Sequence, residues 1–176
     1  MNAPEIAITI RPEKLGDEAA IDAVTQAAFD AADHADGNEA QIVRQLRRDG
    51  DLALSLVAED GEDLVGHIAL SPVSVSDDTP GWFGLGPVSV EPAVQGKGVG
   101  SALVRRAIAD LRQRGARGVV LLGDPAFYAA FGFVAVADLV LPGAPPEYFQ
   151  ALLLDGEWPR GTIAYAPAFG TDAQAD

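Results

Sequence analysis

The sequence predicts a mixed α/β fold of the α+β kind, with a mostly antiparallel sheet and helices on both of its faces. Three observations lead to this prediction. A first short strand is followed by two amphipathic helical segments, and three extended segments with tight turns come next. A strand–helix–strand unit appears only after these. The extended run favours antiparallel pairing, while the last unit requires one parallel pair with a right-handed crossover.

The first half of the chain supplies the strand, the two helices and a hairpin. Isoleucines alternate with other residues over residues 6–10, as in a strand with one buried face. Asp17 is a candidate cap for the first helix. Asn38 with Gln41 resembles a capping box for the second helix. The pair Asp60-Gly61 then marks the turn of a hairpin.

The second half contains the parallel unit. Its first strand, "WFGLGPVSV", is interrupted by Gly84, Gly86 and Pro87, which favours a bulge or a close backbone approach. An apolar stripe over residues 103–111 predicts a long amphipathic helix, and "GVVLLG" is typical of a strand buried on both faces. Asp124-Pro125 marks a further helix start. We interpret "FQALLLDG" and "RGTIAYAPAF" as a closing pair of strands.

Length and charge restrict the classes of function. The chain has 176 residues, which suits a single domain over residues 1–170, with residues 171–176 as a disordered tail. The formal net charge of −14 makes nucleic acid an unexpected partner and would steer a cationic ligand, although solubility alone explains it as well. The N-terminus lacks a signal-peptide pattern and no apolar run could span a bilayer. We therefore expect no membrane partner and a cytoplasmic location.

Metal and cysteine chemistry are not expected. The chain contains no cysteine, which excludes disulfides, thiolate ligands and a cysteine nucleophile. It contains two histidines, His34 and His67, and they do not have the spacing of helical metal ligands. We therefore predict that the protein holds no metal.

The most informative stretch is "QGKGVG", from Gln95 to Gly100, where the long helix begins. The first amides of a helix have no internal partner, and glycines let an anion approach them without meeting Cβ atoms. We interpret the loop as a pyrophosphate cradle with Lys97 at its rim, the alternative being a turn that only reverses the chain. The nucleotide-triphosphate loop does not fit because Gly98 follows Lys97. The dinucleotide fingerprint does not fit because Ser101 replaces its third glycine.

The same loop matches the Q-x-x-G-x-G signature of the GNAT superfamily of N-acetyltransferases, which bind acetyl-coenzyme A. The segment "YAAFGF", Tyr128 to Phe133, is similar to the Y-x-x-x-G-F segment of that superfamily. The order of the predicted elements resembles the superfamily up to Phe169. Phrases such as "GLGPVSVEP" and "LLGDPAFYAAFGF" look closest to one bacterial branch, the YhbS-like predicted acetyltransferases.

The resemblance implies a cofactor site where the fourth and fifth strands of the fold splay apart. Val88, Ser89 and Val90 would offer main-chain hydrogen bonds to the pantetheine arm. The loop amides would hold the pyrophosphate, and Gln95 could also help to cap the helix. The cofactor-binding residues implied in the loop are Gln95, Gly96, Lys97, Gly98, Val99, Gly100 and Ser101.

The resemblance also implies direct transfer of acetyl from acetyl-CoA to a primary amine within a ternary complex. Tyr128 would protonate the thiolate leaving group, the alternative being a packing role among its aromatic neighbours. Glu91 is the candidate general base acting through water, against the alternative of a solvated strand end. His67 is its rival, although a structural role fits this histidine better. His34 is a candidate contact for the acceptor.

The leading interpretation is therefore an acyltransferase, an acetyl-CoA-dependent N-acetyltransferase, acting on an unidentified small-molecule or peptide amine. Two other interpretations stay open. One is a noncatalytic acyl-CoA sensor or interaction module on the same fold, and the other is a nucleotide-binding α/β protein. Apolar surface on the closing strands would support a homodimer.

Overall fold

The computed structural model describes residues 7–32 and 37–170, so His34 and the predicted tail lie outside the described residues. The helices are α1 (Glu18–Asp30), α2 (Glu39–Asp49), α3 (Val99–Gln113) and α4 (Pro125–Tyr128). The strands are β1 (Ile8–Pro12), β2 (Leu54–Asp60), β3 (Asp63–Pro72), β4 (Ser74–Val75), β5 (Trp82–Val90), β6 (Gly118–Leu122), β7 (Leu139–Val140), β8 (Phe149–Leu153) and β9 (Gly161–Ala164). None of the helices in the described ranges combines the length and apolarity needed to cross a membrane.

The main sheet has six strands in the order β1-β2-β3-β5-β6-β8. Its pairings are antiparallel except for β5 with β6, which are parallel and joined through α3. This is the predicted arrangement, because a parallel pair needs a long crossover while the hairpin strands pair through short turns. The predicted fold class is confirmed.

Helices cover both faces of this sheet, and the alternation along β2 explains how. Leu56 faces the larger core cluster, where it packs with Leu103 of α3. Its neighbour Val57 points to the opposite face and packs with Ile21 of α1 and Val43 of α2. All these side chains are almost completely buried. A period of two along the strand therefore divides the apolar residues between two helical layers.

The predicted closing pair of strands is wrong in its pairing. Both strands exist, but β8 joins the main sheet beside β6, while β9 pairs with β4 and β7 in a separate three-stranded sheet. The reason is that β4 and β7 have two residues each, too few to produce an alternating pattern that sequence analysis could detect.

The predicted side-chain caps of α1 and α2 are also wrong, although both helices begin where the sequence indicates. Neither Asp17 nor Asn38 makes a side-chain cap hydrogen bond. Asp17 Oδ2 instead accepts a hydrogen bond from Nη1 of Arg11 at 2.7 Å and another from the amide of Lys14 at 2.9 Å. The hydrogen bond from Arg11 lowers the pKa of Asp17 to about 2. A guanidinium from β1 therefore competes successfully with the helix end for this carboxylate.

The strands β5 and β6, the fourth and fifth of the predicted order, do splay apart. Their pairing ends at Gly84 opposite Val120. Two residues further along β5, Gly86 has a φ of 133°, which a residue with a side chain rarely adopts, and Pro87 has no backbone N–H to donate. The rest of β5 stays paired with β3 on its other side. A wedge-shaped opening therefore forms between β5 and β6.

Candidate active site

A cavity of about 670 Å³, here called the slot cavity, occupies the opening between β5 and β6. It is bounded by the end of α1, the outer half of β5, the glycine loop with the start of α3, and α4. Its lining residues are Ala28, Phe29, Ala32, Val88, Val90, Gln95, Gly96, Gly98, Val99, Gly100, Ser101, Asp124, Phe127 and Tyr128. The cavity thus brings the glycine loop and the aromatic helix of the sequence analysis into one space.

The predicted cofactor residues line this cavity with two exceptions, Ser89 and Lys97. Ser89 is buried on the opposite face of β5, where it lies across from His67 of β3. The side chain of Lys97 is exposed to solvent. Side-chain contacts with a bound molecule are therefore not expected from Ser89, which leaves its main chain as the candidate contact.

The glycine loop delivers the first amides of α3 to the slot cavity. Gly98 is the N-cap residue, and its φ of 88° lies in the left-handed region that favours glycine. Its carbonyl accepts the first helical hydrogen bond, from the amide of Ala102 at 3.0 Å. The amides between these two residues have no acceptor within the helix and lie at its positive end. This end of the cavity is therefore suited to an anion.

Gly100 faces the cavity between two of its walls. A Cβ atom at this position would lie 3.7 Å from Cγ2 of Val90 and 3.9 Å from Cζ of Phe127, both ordinary contact distances. A methyl group would therefore be accommodated by the protein, yet it would take up space between two side chains that line the slot cavity. The lack of a side chain here keeps the anion end open.

Gln95 does not cap α3 as predicted. Its side-chain Nε2 donates a hydrogen bond to the carbonyl oxygen of Val90 at 3.1 Å. A helix N-terminus needs acceptors for its amides, whereas this amide group is used as a donor toward β5. Gln95 therefore ties the start of the loop to the end of the strand.

Tyr128 reaches the slot cavity from α4, which begins as predicted. Oδ1 of Asp124 accepts a hydrogen bond from the amide of Ala126 at 2.9 Å, and Pro125 occupies the first helical position. The ring of Tyr128 lies directly on the backbone of Gly123, where an added Cβ would be 2.5 Å from Cε2. Its position is therefore fixed by the short helix on one side and by bare main chain on the other.

The phenol of Tyr128 keeps its proton over the whole neutral range. Burial raises the pKa of Tyr128 to about 12, because the charged phenolate would lose hydration in the aromatic cluster. This cluster contains the rings of Phe127 and Phe133 in edge-to-face contact, with centroids 4.9 and 5.8 Å from that of Tyr128. The packing role and a proton-donor role are therefore compatible at this position.

The two candidate bases occupy different environments. Glu91 follows the last residue of β5, its amide donates to the carbonyl of Val65 at 2.8 Å, and its side chain does not line the slot cavity. His67 is fully buried, with Nε2 2.8 Å from Oγ of Ser55. Burial lowers the pKa of His67 to about 3, so the ring is neutral. This geometry supports the structural interpretation of His67, while the role of Glu91 stays a prediction.

A second cavity of about 320 Å³, here called the aromatic cavity, adjoins the slot cavity at Phe29. Its lining residues are Phe29, Asn38, Glu39, Ile42, Leu85, Gly86, Pro87, Leu122, Leu141, Tyr165 and Phe169. The sequence analysis did not identify this set. Its members come from α1, α2 and its N-cap, β5, β6, the residue after β7 and the C-terminal segment, and no local spacing links them. The aromatic pair in "YAPAF" could have indicated an apolar wall, but these residues were interpreted as part of a closing strand.

Within the part of the chain that the structure describes, no three histidine, aspartate or glutamate side chains are grouped so that they could hold a metal ion. The described lining of the slot cavity instead combines main-chain amides, the phenol of Tyr128 and apolar side chains with the polar side chains of Gln95, Ser101 and Asp124.

Known proteins share this sequence pattern and this architecture. The family model of the acetyltransferase (GNAT) family matches residues 19–133. The N-acetyltransferase YhbS of Escherichia coli K12 is 39% identical over 129 residues, which cover 73% of this chain and 74% of that protein. The crystal structure of YhbS from Escherichia coli in complex with CoA has a TM-score of 0.85 at 34% identity, covering 96% of this chain and 95% of that chain.

A second solved structure is similar at higher sequence identity. The GNAT family acetyltransferase from Brucella melitensis in complex with acetyl-CoA has a TM-score of 0.83 and 45% identity, covering 93% of this chain and 99% of that chain. The segment that the family model matches, residues 19–133, includes the glycine loop, α3 and α4. On the family match and these similarities, the chain belongs to the GNAT family and is an N-acetyltransferase of that family.

Proposed function

We propose that this protein transfers acetyl from acetyl-CoA directly to a primary amine while both are bound. The observation that carries the proposal is the slot cavity, which joins the open side of β5, the helix amides at Gly98 to Ser101 and the phenol of Tyr128 in one space. The relatives from Escherichia coli and Brucella melitensis, with CoA and acetyl-CoA bound, support the same use of this fold.

The residues present fit acetyl-CoA at both ends of the cavity. The main chain of residues 88–90 lies beyond the last pairing of β5 with β6. Its outward N–H groups can therefore donate hydrogen bonds to the carbonyl oxygens of a pantetheine arm, and its outward carbonyl oxygens can accept hydrogen bonds from the N–H groups of that arm. The N–H groups that follow Gly98 can donate hydrogen bonds to the pyrophosphate oxygens at the positive end of α3. Gly100 leaves the room that such a group needs.

The reaction needs an acid near the sulfur and a neutral amine near the carbonyl carbon. The amine nitrogen forms a bond to the carbonyl carbon and the C–S bond breaks. The nitrogen loses one proton and the departing thiolate gains one, so the products are an amide and free CoA. A main-chain N–H of β5 can stabilise the oxyanion that develops. No cysteine is present to carry the acetyl group, which favours the direct route.

Tyr128 serves in this proposal as a hydrogen-bond donor to the departing sulfur. With a pKa of about 12 it binds its proton more tightly than an ordinary thiolate, whose conjugate acid has a pKa of about 8.5. The donor therefore stabilises charge on sulfur throughout the bond cleavage and gives up its proton only late, if at all. The base that receives the amine proton stays a prediction, with Glu91 as the candidate.

The proposed function is tested by thiol release and by Tyr128→Phe. The wild-type protein should release free CoA from acetyl-CoA when a suitable amine is present. Acetyl-CoA at 100 times its Kd should stabilise the fold by about 2.7 kcal/mol. Tyr128→Phe should lower kcat by about 10²-fold, because the ring is kept but the donor is lost. Its Kd for CoA should stay within about twofold.

The same experiment separates an enzyme from a sensor. A protein that only senses acyl-CoA would bind it, release no thiol with any amine, and show no difference between wild type and Tyr128→Phe. The absence of any thermal shift at saturating acetyl-CoA would contradict the proposal itself.

A further inference from the structure

The aromatic cavity lies where an acceptor amine would have to enter, provided that the proposed function is correct. It shares Phe29 with the slot cavity, and Leu85 to Pro87 on β5 lead directly to Val88, which lines the slot. Leu122, at the end of β6, is followed by Gly123, on which the ring of Tyr128 lies. A molecule in the aromatic cavity is therefore next to the thioester end of the slot.

The walls of this cavity are mostly apolar. Tyr165 and Phe169 form one wall, with ring centroids 5.1 Å apart. Phe29 and Ile42 line it from α1 and α2. Burial raises the pKa of Tyr165 above its usual value, so its hydroxyl is neutral at physiological pH. The walls therefore offer ring faces and aliphatic surface to a ligand.

The aromatic wall is held in place by β5. A Cβ atom at Gly84 would lie 2.5 Å from Cε1 of Tyr165, so this ring rests directly on the strand backbone at the point where β5 and β6 part. A close-packed wall of this kind is a preformed surface. It selects ligands by shape and apolarity without prior rearrangement.

Charge in this cavity is limited to one acidic group among its described lining residues, Glu39. An ammonium group loses hydration on entering apolar surroundings and needs an anionic or hydrogen-bonding partner there. Any ammonium group besides the reacting nitrogen would have to enter these mostly apolar surroundings. The cavity therefore disfavours a ligand with several ammonium groups, despite the net charge of −14 on the whole chain.

We infer that the acceptor is a small primary monoamine whose body is a single apolar group, an aromatic ring or a branched alkyl chain. The cavity volume of about 320 Å³ is near the lower end of the range for ligand sites, roughly 300 to 1,000 Å³. It has room for one ring system beside the reacting nitrogen. Polyamines, aminosugars and long peptides are thereby disfavoured as acceptors.

The inference is tested with three amines, 2-phenylethylamine, ethylamine and spermidine, at saturating acetyl-CoA, reading free thiol. We expect kcat/KM for 2-phenylethylamine to exceed that for ethylamine by about 10²-fold, because the ring gains apolar burial that ethylamine lacks. Spermidine should be no better than ethylamine.

Two isoleucine variants locate the effect. Ile42→Ala enlarges the aromatic cavity from α2 and should raise the KM for 2-phenylethylamine about tenfold, with little change for ethylamine. Ile8→Ala is the matched control, because Ile8 is also partly buried but packs on the main core from β1. Ile8→Ala should leave the ratio of kcat/KM for 2-phenylethylamine to kcat/KM for ethylamine unchanged. If Ile42→Ala does not fold, Phe169→Leu alters the wall formed by Tyr165 and Phe169, and it should lower the ratio of kcat/KM for 2-phenylethylamine to kcat/KM for ethylamine.

The failure of this inference is distinguishable from failure of the proposed function. Two outcomes overturn the inference alone, provided that acetyl-CoA binds normally. One is a kcat/KM for ethylamine or spermidine that equals or exceeds the value for 2-phenylethylamine. The other is no turnover of 2-phenylethylamine. An equal loss toward all three amines in the cavity variant, Ile42→Ala or its replacement Phe169→Leu, also overturns it. A lack of acetyl-CoA binding overturns the proposed function.

Discussion

Gly100 leaves space at the N-terminal end of α3, where we propose that acetyl-CoA places its pyrophosphate. We predict that Gly100→Ala stabilises the unliganded protein by up to about 1 kcal/mol, because alanine is the better helix former and its methyl group meets no atom closer than 3.7 Å. The same methyl group should raise the Kd for acetyl-CoA at least tenfold. Calorimetric binding and urea unfolding of the same variant measure the two effects separately.

Ser101→Ala is the control for this prediction. It keeps the backbone amide at the start of α3 and removes only a hydroxyl group, so the Kd should change by less than about threefold, since backbone amides do the binding. A loss in Ser101→Ala as large as that in Gly100→Ala would show that side chains, not main-chain amides, hold the anion.

His67 makes the stability of the fold depend on pH. Its pKa is about 3 in the folded protein and about 6.5 when exposed, so between these values the unfolded chain binds the additional proton. Lowering the pH therefore reduces the free energy of unfolding, which reaches its full value only above pH 6.5. When the pH falls from 6.5 to 5.0, the free energy of unfolding of the wild type should decrease by about 2 kcal/mol more than that of His67→Gln.

Urea unfolding at several pH values checks this expectation, with thiol release as the second readout. His67→Gln should keep most of its activity, since the buried ring contacts neither cavity. His34→Gln removes the other histidine and serves as the control. If His67→Gln abolished turnover while the fold stayed intact, the structural interpretation of this residue would be wrong.

At the scale of an element, the four-residue helix α4 sets the position of Tyr128. The Asp124 carboxylate caps it, so Asp124→Ala should cost about 1 kcal/mol of stability and lower kcat, because the phenol loses its fixed position. Asp124→Asn keeps a capping oxygen without the charge and should behave like wild type in kcat. Thermal unfolding and steady-state kinetics on the pair separate the cap from the charge. Equal kcat in all three proteins would contradict this role.

The elements themselves could be predicted wherever the local pattern was long enough. The hairpin turn at Gly61, the crossover helix α3 and the capped start of α4 follow from turn chemistry, periodicity and the Asp-Pro pair. The strands β4 and β7 could not be predicted, since two residues carry no period. The cap at Asp17 failed because its partner, Arg11, lies on β1, outside the local window that capping patterns describe.

At the scale of the whole molecule, the net charge of −14 opposes the approach of a polyanion such as acetyl-CoA. We predict that its association rate constant rises with ionic strength from 0.01 to 0.15 M, as the Debye length shortens from about 30 to about 8 Å. Stopped-flow binding measures this rate. S-acetylpantetheine, which lacks the phosphates, should show little salt dependence, and a rate for acetyl-CoA that fell with salt would indicate an attractive local field around Lys97.

The candidate site could be predicted in part, and the missing part has a physical reason. The glycine loop and Tyr128 are separated along the chain only by α3, β6 and the start of α4, so the local pattern was enough to predict that they share one cavity. The aromatic cavity combines Ile42 with Tyr165, which only the tertiary fold brings together. The single domain over residues 1–170 and the homodimer stay predictions.

The contact between Gly123 and Tyr128 has a consequence for how this site tolerates change. The ring rests on peptide atoms, so the depth of the phenol is dictated by the course of the main chain after β6. A Cβ atom at position 123 would displace the ring of Tyr128 from the backbone, so substitutions of Gly123 should be poorly tolerated.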